Sequence, residues 1–215
     1  MRKEKIPVAD EGYPFIGFSA LVTLVAAGLE LPVVSLLTLL CTGFCLYFFR
    51  DPERIRPEEE GAVVAPADGR IILVEKIRDE RSAGEESLKI SIFMNIFNVH
   101  VNRIPLAGRV RSVSFSPGRF YSADTERAGL ENERCSLVID TDGGYSYKMV
   151  QIAGLVARRI VCRAEPGDKV LSGQRFGLIR FGSRVDLYLP AETEVRVENG
   201  QKVKAGETTL GVLGS

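Results

Sequence analysis

Arg180-Phe181-Gly182-Ser183-Arg184-Val185-Asp186 lies between two apolar runs, Phe176 to Ile179 and Val185 to Leu189. The pattern predicts two strands joined by a tight turn, or one strand bent at a glycine. Gly182 lacks a Cβ, so a neighbouring group can approach its carbonyl closely and the backbone can hold a strained conformation. Ser183 places a hydroxyl on the next residue, from which it could attack the carbonyl just before it. Read alone, the pair is equally an ordinary β-turn. The rest of the chain has to separate a turn from a reactive bond.

The 215 residues suffice for one domain of ordinary size and an appendage. Basic and acidic residues number 28 each, and this balance argues against a general nucleic-acid binder. Cys41, Cys45, Cys135 and Cys162 form no C-x-x-C pair, so neither a zinc site nor a disulfide framework is expected, and no metal. A reducing compartment fits them best. His100 is the sole histidine, so any role for an imidazole base falls on it.

Near the N-terminus apolar character rises sharply. Phe15 to Leu29 carries no charge, Glu30-Leu31-Pro32 interrupts, and Leu31 to Phe49 is again uncharged. A spanning helix needs about 20 apolar residues, which the second run meets and the first falls slightly short of. No small-x-small cleavage site marks a signal peptide, and the pair is too apolar for an amphipathic core hairpin. A membrane-associating helical hairpin over residues 1–56 is expected. Arg2, Lys3 and Lys5 precede it and Arg50, Arg54 and Arg56 follow it, while the connecting turn has no basic residue. By the positive-inside rule both ends face the cytoplasm, at the cell membrane.

Pro57 to Gly61 reads as a polar linker, and residues 57–215 as one domain. Short β-runs follow: Val63 to Ala65, Arg70 to Val74, Leu88 to Met94, Val110 to Phe115, Ser136 to Asp140, Tyr145 to Gln151 and Arg159 to Cys162. Asp142-Gly143-Gly144 is a hairpin signal. Asp79 to Glu86 reads as a charged loop, and Ala153 to Ala157 as a helical turn or strand. The fold class expected is mostly β, sandwich or barrel-like, plus the N-terminal hairpin. Glu165-Pro166-Gly167-Asp168-Lys169-Val170 echoes Glu198-Asn199-Gly200-Gln201-Lys202-Val203. This echo resembles the hammerhead barrels of lipoyl and biotinyl carrier domains, a likeness of fold rather than function.

Serine is a poor nucleophile until a base takes its proton. His100 could be that base for Ser183, and Asp68, in Pro66-Ala67-Asp68-Gly69-Arg70, could orient the imidazole and stabilise its charged form. Taken singly, Asp68-Gly69 is a turn before a strand, and a lone histidine in an apolar strand is a core residue. No G-x-S-x-G elbow is present. Attack by Ser183 on the Gly182 carbonyl would turn the peptide into an ester. β-Elimination would then free Gly182 as a C-terminus, and the dehydroalanine left behind would hydrolyse to a pyruvoyl group. That carbonyl is a built-in electrophile, usable like pyridoxal phosphate.

Ala65-Pro66-Ala67-Asp68-Gly69, Asn98-Val99-His100-Val101-Asn102-Arg103-Ile104-Pro105, Asn132-Glu133-Arg134 and Arg180-Phe181-Gly182-Ser183 occur in this order. The set resembles the short form of the phosphatidylserine decarboxylases, as does Tyr47-Phe48-Phe49-Arg50-Asp51-Pro52. Long-form members carry Leu-Gly-Ser-Thr at the cleavage site and two histidines in the histidine motif. Here there are Phe-Gly-Ser-Arg and one histidine, with Arg103 near the place of the second, so His100 would serve both steps.

The resemblance implies self-cleavage between Gly182 and Ser183, giving a β chain 1–182 and an α chain 183–215 headed by a pyruvoyl cofactor made from Ser183. The amine of phosphatidylserine would form a Schiff base with it, lose carbon dioxide, and leave as phosphatidylethanolamine. Catalytic roles would fall to Ser183, His100 and Asp68, and Arg103 or Arg184 would hold the lipid phosphate. Partners would be the lipid bilayer and the two chains of one proenzyme; a homodimer is allowed, though no residue indicates it. Two rivals remain. One is a membrane-anchored hammerhead-barrel carrier or interaction module without catalysis. The other is a pyruvoyl decarboxylase acting on a soluble amino acid, for which the hairpin has no use.

Overall fold

The computed structural model describes residues 7–78, 86–155, 159–180 and 182–214. The chain divides into two compact units, Met1–Glu53 and Arg54–Ser215.

The first unit is a helical hairpin. A 3-10 turn, Asp10–Gly12, leads into α1, Tyr13–Gly28, and α2 is Pro32–Phe48. Each helix carries proline at its start, where the missing N–H costs nothing. Glu30 takes a positive φ of 57° between them, and Leu31 N–H donates back to Ala26 O. At the open end Ala9 N–H donates to Phe49 O and Asp51 N–H to Pro7 O. Gly12 lies there, where a Cβ would overlap the Phe49 ring.

Phe18, Leu21, Leu24, Leu36, Leu37 and Leu40 are exposed. The hydroxyls of Ser19, Thr23, Thr38 and Thr42 each donate to a carbonyl one turn back on their own helix. Apolar surface outside and self-satisfied hydroxyls suit a lipid solvent. The lengths, however, reverse the sequence expectation. Asp10–Gly28 is long and apolar enough to cross a membrane, because the 3-10 turn extends the first run; the second run gives a shorter helix, since Phe49 leaves helical geometry.

The second unit is mostly β, as its alternating runs predict. Its main sheet is antiparallel and has eight strands. In spatial order these are β13 (Lys202–Val203), β2 (Gly69–Arg78), β3 (Glu86–Met94), β11 (Ser183–Pro190), β7 (Ser146–Ala153), β6 (Arg134–Asp140), β5 (Gly108–Ser116) and β9 (Lys169–Val170). Two three-stranded sheets accompany it. One is β1 (Ala62–Val64), β14 (Thr209–Val212) and β12 (Glu194–Val195); the other is β4 (Val101–Arg103), β10 (Arg175–Ile179) and β8 (Ile160–Cys162). The one helix described in this unit, α3, is short, Glu126–Glu131, and Thr125 caps it by accepting from Ala128 N–H. Residues 79–85 of the expected loop and 156–158 of the expected turn lie outside the described residues.

The sequence echo turns out to be the two edges of the large sheet. Gly167 N–H donates to Val110 O and Val110 N–H to Asp168 O; Gly200 N–H donates to Ile71 O and Ile71 N–H to Gln201 O. The strands they flank, β5 and β2, each shift register near their start, between Val110 and Ser112 and between Ile71 and Leu73. Ala65-Pro66-Ala67-Asp68-Gly69 and Ile104-Pro105-Leu106-Ala107-Gly108 occupy matching turns. The second unit is therefore an internal repeat, with β11 and β7 pairing at its centre.

One face of the large sheet carries the core. Leu88, Ile90, Ile92 and Met94 of β3, Val185, Leu187 and Leu189 of β11, and Cys135, Leu137 and Ile139 of β6 are buried together. The period-two alternation of these strands sets the register, because a slip of one residue would turn the whole set outward.

Candidate active site

The opening stretch forms two strands, but not a hairpin. β10 ends at Ile179 in a three-stranded sheet and β11 begins at Ser183 in the large one. Gly182 makes the change of direction with φ 71°, the left-handed conformation that glycine adopts without a Cβ clash. Phe181 lies outside the described residues.

Ser183 pairs with Met94 on one side and Ala153 on the other. It is 0 % exposed on the core-facing side, and its Oγ lies 3.9 Å from Met94 Sδ. A thioether is a weak acceptor, so the hydroxyl is not tied to a strong partner there.

His100, 2 % exposed, comes from the segment entering β4, where its carbonyl accepts from Ile179 N–H. Its Nδ1 lies 3.0 Å from Asn98 O. A carbonyl only accepts, so Nδ1 carries the ring proton. Nε2 then holds the lone pair, and it accepts from Gly182 N–H at 3.4 Å. The basic nitrogen thus faces the residue whose carbonyl Ser183 would attack. Asn98 is itself fixed by a turn: Asn95 N–H donates to Asn98 Oδ1 and Asn98 N–H to Asn95 O.

Arg70 pairs with Phe93 and Phe93 with Arg184, so Asp68, Met94 and Ser183 lie at the same end of three neighbouring strands. Asp68 Oδ2 accepts from Arg54 at 2.8 Å and Oδ1 from Ala205 N–H at 2.8 Å. The same turn holds β4: Arg103 N–H donates to Pro66 O. Of the two arginines, Arg103 donates to Gly173 O. Arg184 points to the opposite face from Ser183. There it makes a buried ion pair with Asp186 at 2.5 and 2.9 Å, donates to Ser91 Oγ and Thr125 O, and packs beside Gly129 of α3. A cleft of about 660 Å³ opens on that face, lined by Lys89, Lys148, Arg184 and Tyr188 among others.

Several groups at the site carry no signal in the one-dimensional pattern. A Cβ on Gly154 would overlap the Gly182 carbonyl oxygen, so two glycine backbones meet at the bond in question. Asn132, quoted above only as part of a motif, donates through Nδ2 to Ala153 O and Tyr121 O and accepts from Tyr121 N–H, which anchors the end of β7. Gln151 and Asn102 are both fully buried, joined by a 2.8 Å bond from Gln151 Nε2 to Asn102 Oδ1. Gln151 Oε1 has no partner among the described residues. An unmet buried carbonyl costs roughly 1–3 kcal/mol.

Two other titratable groups of the core, Tyr147 and Cys135, are shifted upward. Burial pushes the Tyr147 phenol up, although Leu106 O accepts its hydrogen bond. The Cys135 thiol is raised by its hydrogen bond to Cys162 and by burial, and the same bond lowers Cys162. No group of three or more metal-ligating side chains occurs among the described residues.

The model of the family described as phosphatidylserine decarboxylase matches residues 41–211. The chain belongs to that family. A phosphatidylserine decarboxylase proenzyme of Desulfotalea psychrophila is 54% identical over 213 residues, 99% of this chain and 100% of the relative. Proteins of the same name from Geotalea uraniireducens and Geobacter metallireducens are each 50% identical, again over 99% of this chain and 100% of theirs. Family membership does not favour the rival carrier module, although the echo that suggested it does form the two edge strands of the large sheet.

Proposed function

We propose that this chain is a phosphatidylserine decarboxylase proenzyme that cuts itself between Gly182 and Ser183. The observation that carries the proposal is His100 Nε2, free of the ring proton and 3.4 Å from Gly182 N, beside a buried Ser183. His100 takes the Ser183 hydroxyl proton as Oγ attacks the Gly182 carbonyl. The imidazolium returns that proton to the Ser183 nitrogen as the C–N bond breaks, and an ester forms. Loss of the Ser183 α-proton then expels the Gly182 carboxylate, and the dehydroalanine takes up water and releases ammonia.

The residues fit the pyruvoyl group that results: a serine held in a dry site, a glycine that tolerates the strained junction, and a base directed at it. Once formed at residue 183, a pyruvoyl group would supply an electrophilic carbonyl for the substrate's amine and an electron sink for the loss of carbon dioxide. His100, whose Nε2 meets Gly182 N–H, would move protons in that reaction too.

Asp68 supplies negative charge at the Ser183 end of the sheet and anchors the turn that holds β4. The matching position of the repeat is Ala107, so the carboxylate is particular to this half. Paired with Arg54, it balances only part of an imidazolium's charge. The steps above use neither Arg103 nor Arg184, whose donors already meet Gly173 O and Asp186.

The substrate is a bilayer lipid, which gives the N-terminal hairpin its use. Residues 1–56 associate with the cell membrane and residues 57–215 act on its cytoplasmic face, in line with the basic residues at both ends of the hairpin. The test is purified protein with phosphatidylserine vesicles, read as carbon dioxide released and phosphatidylethanolamine formed. Wild type should show both and Ser183→Ala neither; equal activity in the two would overturn the proposal.

A further inference from the structure

The four central strands of the large sheet turn three polar side chains toward the core: Ser183, Tyr147 and Gln151. Tyr147 is satisfied by Leu106 O at 2.6 Å, and Ser183 is the proposed nucleophile. Gln151 has neither excuse. It is 0 % exposed and leaves Oε1 unpartnered among the described residues.

The amide orientations are fixed by chemistry. Asn102 Nδ2 faces Pro66 O at 3.5 Å and Met94 Sδ at 3.8 Å. Both are acceptors, so the nitrogen belongs on that side and Oδ1 faces Gln151. Oδ1 must be met by Gln151 Nε2, at 2.8 Å, which leaves Gln151 Oε1 as the open acceptor. Met94 Sδ also lies 3.9 Å from Ser183 Oγ, so the amide pair and residue 183 share a wall. Val185 pairs with Gln151 and Ser183 with Ala153, which puts Gln151 diagonally across from residue 183 on the same face.

We propose that Asn102 and Gln151 form a subsite for a primary amine. Gln151 Oε1 accepts a hydrogen bond from the N–H of the aminophospholipid headgroup as it arrives at residue 183. Asn102 holds the amide so that the oxygen, not the nitrogen, is offered. The inference rests on the proposed origin of the pyruvoyl group in Ser183.

The test uses the full-length, self-cleaved protein with ethanolamine as the probe. Cyanoborohydride, as reductant, fixes the amine to the 183–215 fragment: the carbonyl oxygen leaves as water and hydride goes to carbon, as read by intact mass. A parallel sample receives borohydride without amine, which reduces the carbonyl directly. Gln151→Met keeps the side chain's length and removes the acceptor. It should cleave like wild type and reduce like wild type with borohydride, yet trap ethanolamine about tenfold more slowly. Gln151→Glu, which keeps an oxygen acceptor, should trap within a few-fold of wild type.

Trapping at the wild-type rate in Gln151→Met would overturn the proposal and leave Oε1 to a buried water. So would an equal loss in the borohydride arm, which would mean altered packing. If Gln151→Met stays uncut, Asn102→Leu, which frees the Gln151 amide to turn, should show the same amine-selective loss. Two uncut variants would assign the pair to self-cleavage and overturn the amine role. An uncut wild-type chain shows itself on a gel before any amine is added. It would sink the Ser183 proposal, and this inference with it.

Discussion

His100 has its two nitrogens in different hands: Nδ1–H donates to Asn98 O, and Nε2 faces Gly182 N–H. A backbone carbonyl therefore sets the tautomer, and in the proposed mechanism Asp68 would act further out, through charge and through the Pro66 turn. His100→Ala should slow self-cleavage on the order of a hundredfold or more, the usual weight of a general base. Asp68→Asn should slow it less, since both carboxylate oxygens of Asp68 are already engaged, by Arg54 and by Ala205 N–H. The double variant should cost little more than His100→Ala alone, because groups acting as a unit are not additive. The measurement is the fraction of uncut chain against time after synthesis; wild-type rates in folded single variants would remove both residues from the mechanism. Ser183 and His100 were legible because serine next to glycine and a lone imidazole are chemically conspicuous. Gly154 and Gln151 were not, because each matters only through its register against β11.

The element on which the proposed cleavage turns is the junction between β10 and β11. From the sequence it reads as two strands joined by a tight turn or as one strand bent at a glycine, since two apolar runs flank Gly182. Whether successive strands pair with each other is set by tertiary partners, here β4 and β8 for β10 and β3 and β7 for β11. The change of sheet leaves Gly182 outside any ladder, with its carbonyl against Gly154. Gly154→Ala should preserve the sheet, judged by circular dichroism, because only the strand end is disturbed. Its Cβ would displace the Gly182 carbonyl, and a shift of about 1 Å at a reacting atom costs on the order of a hundredfold. Hydroxylamine, which cuts esters, should release no fragments from this variant if the acyl shift itself is blocked. Fragments released by hydroxylamine would place the block at elimination instead.

At the scale of the whole molecule, the hairpin and the β unit divide between Glu53 and Arg54. The sequence marks the boundary slightly later, at Pro57, because Pro-Glu-Glu-Glu-Gly is the polar stretch. Arg54 belongs with the β unit because its guanidinium meets Asp68 and Glu207. A chain beginning at Arg54 should therefore be soluble and still cut itself, whereas one beginning at Pro57 should cut itself more slowly. Sedimentation with vesicles and the fraction cleaved read both expectations. Tight pelleting of the shorter chains would put the membrane contact on the β unit.

The most direct measurement is the intact mass of the purified full-length protein, compared with Ser183→Ala. The account predicts two wild-type fragments, residues 1–182 and 183–215, whose summed mass equals that of the chain plus water less ammonia, and one uncut chain in Ser183→Ala. A single uncut wild-type chain in a preparation that decarboxylates phosphatidylserine would contradict it.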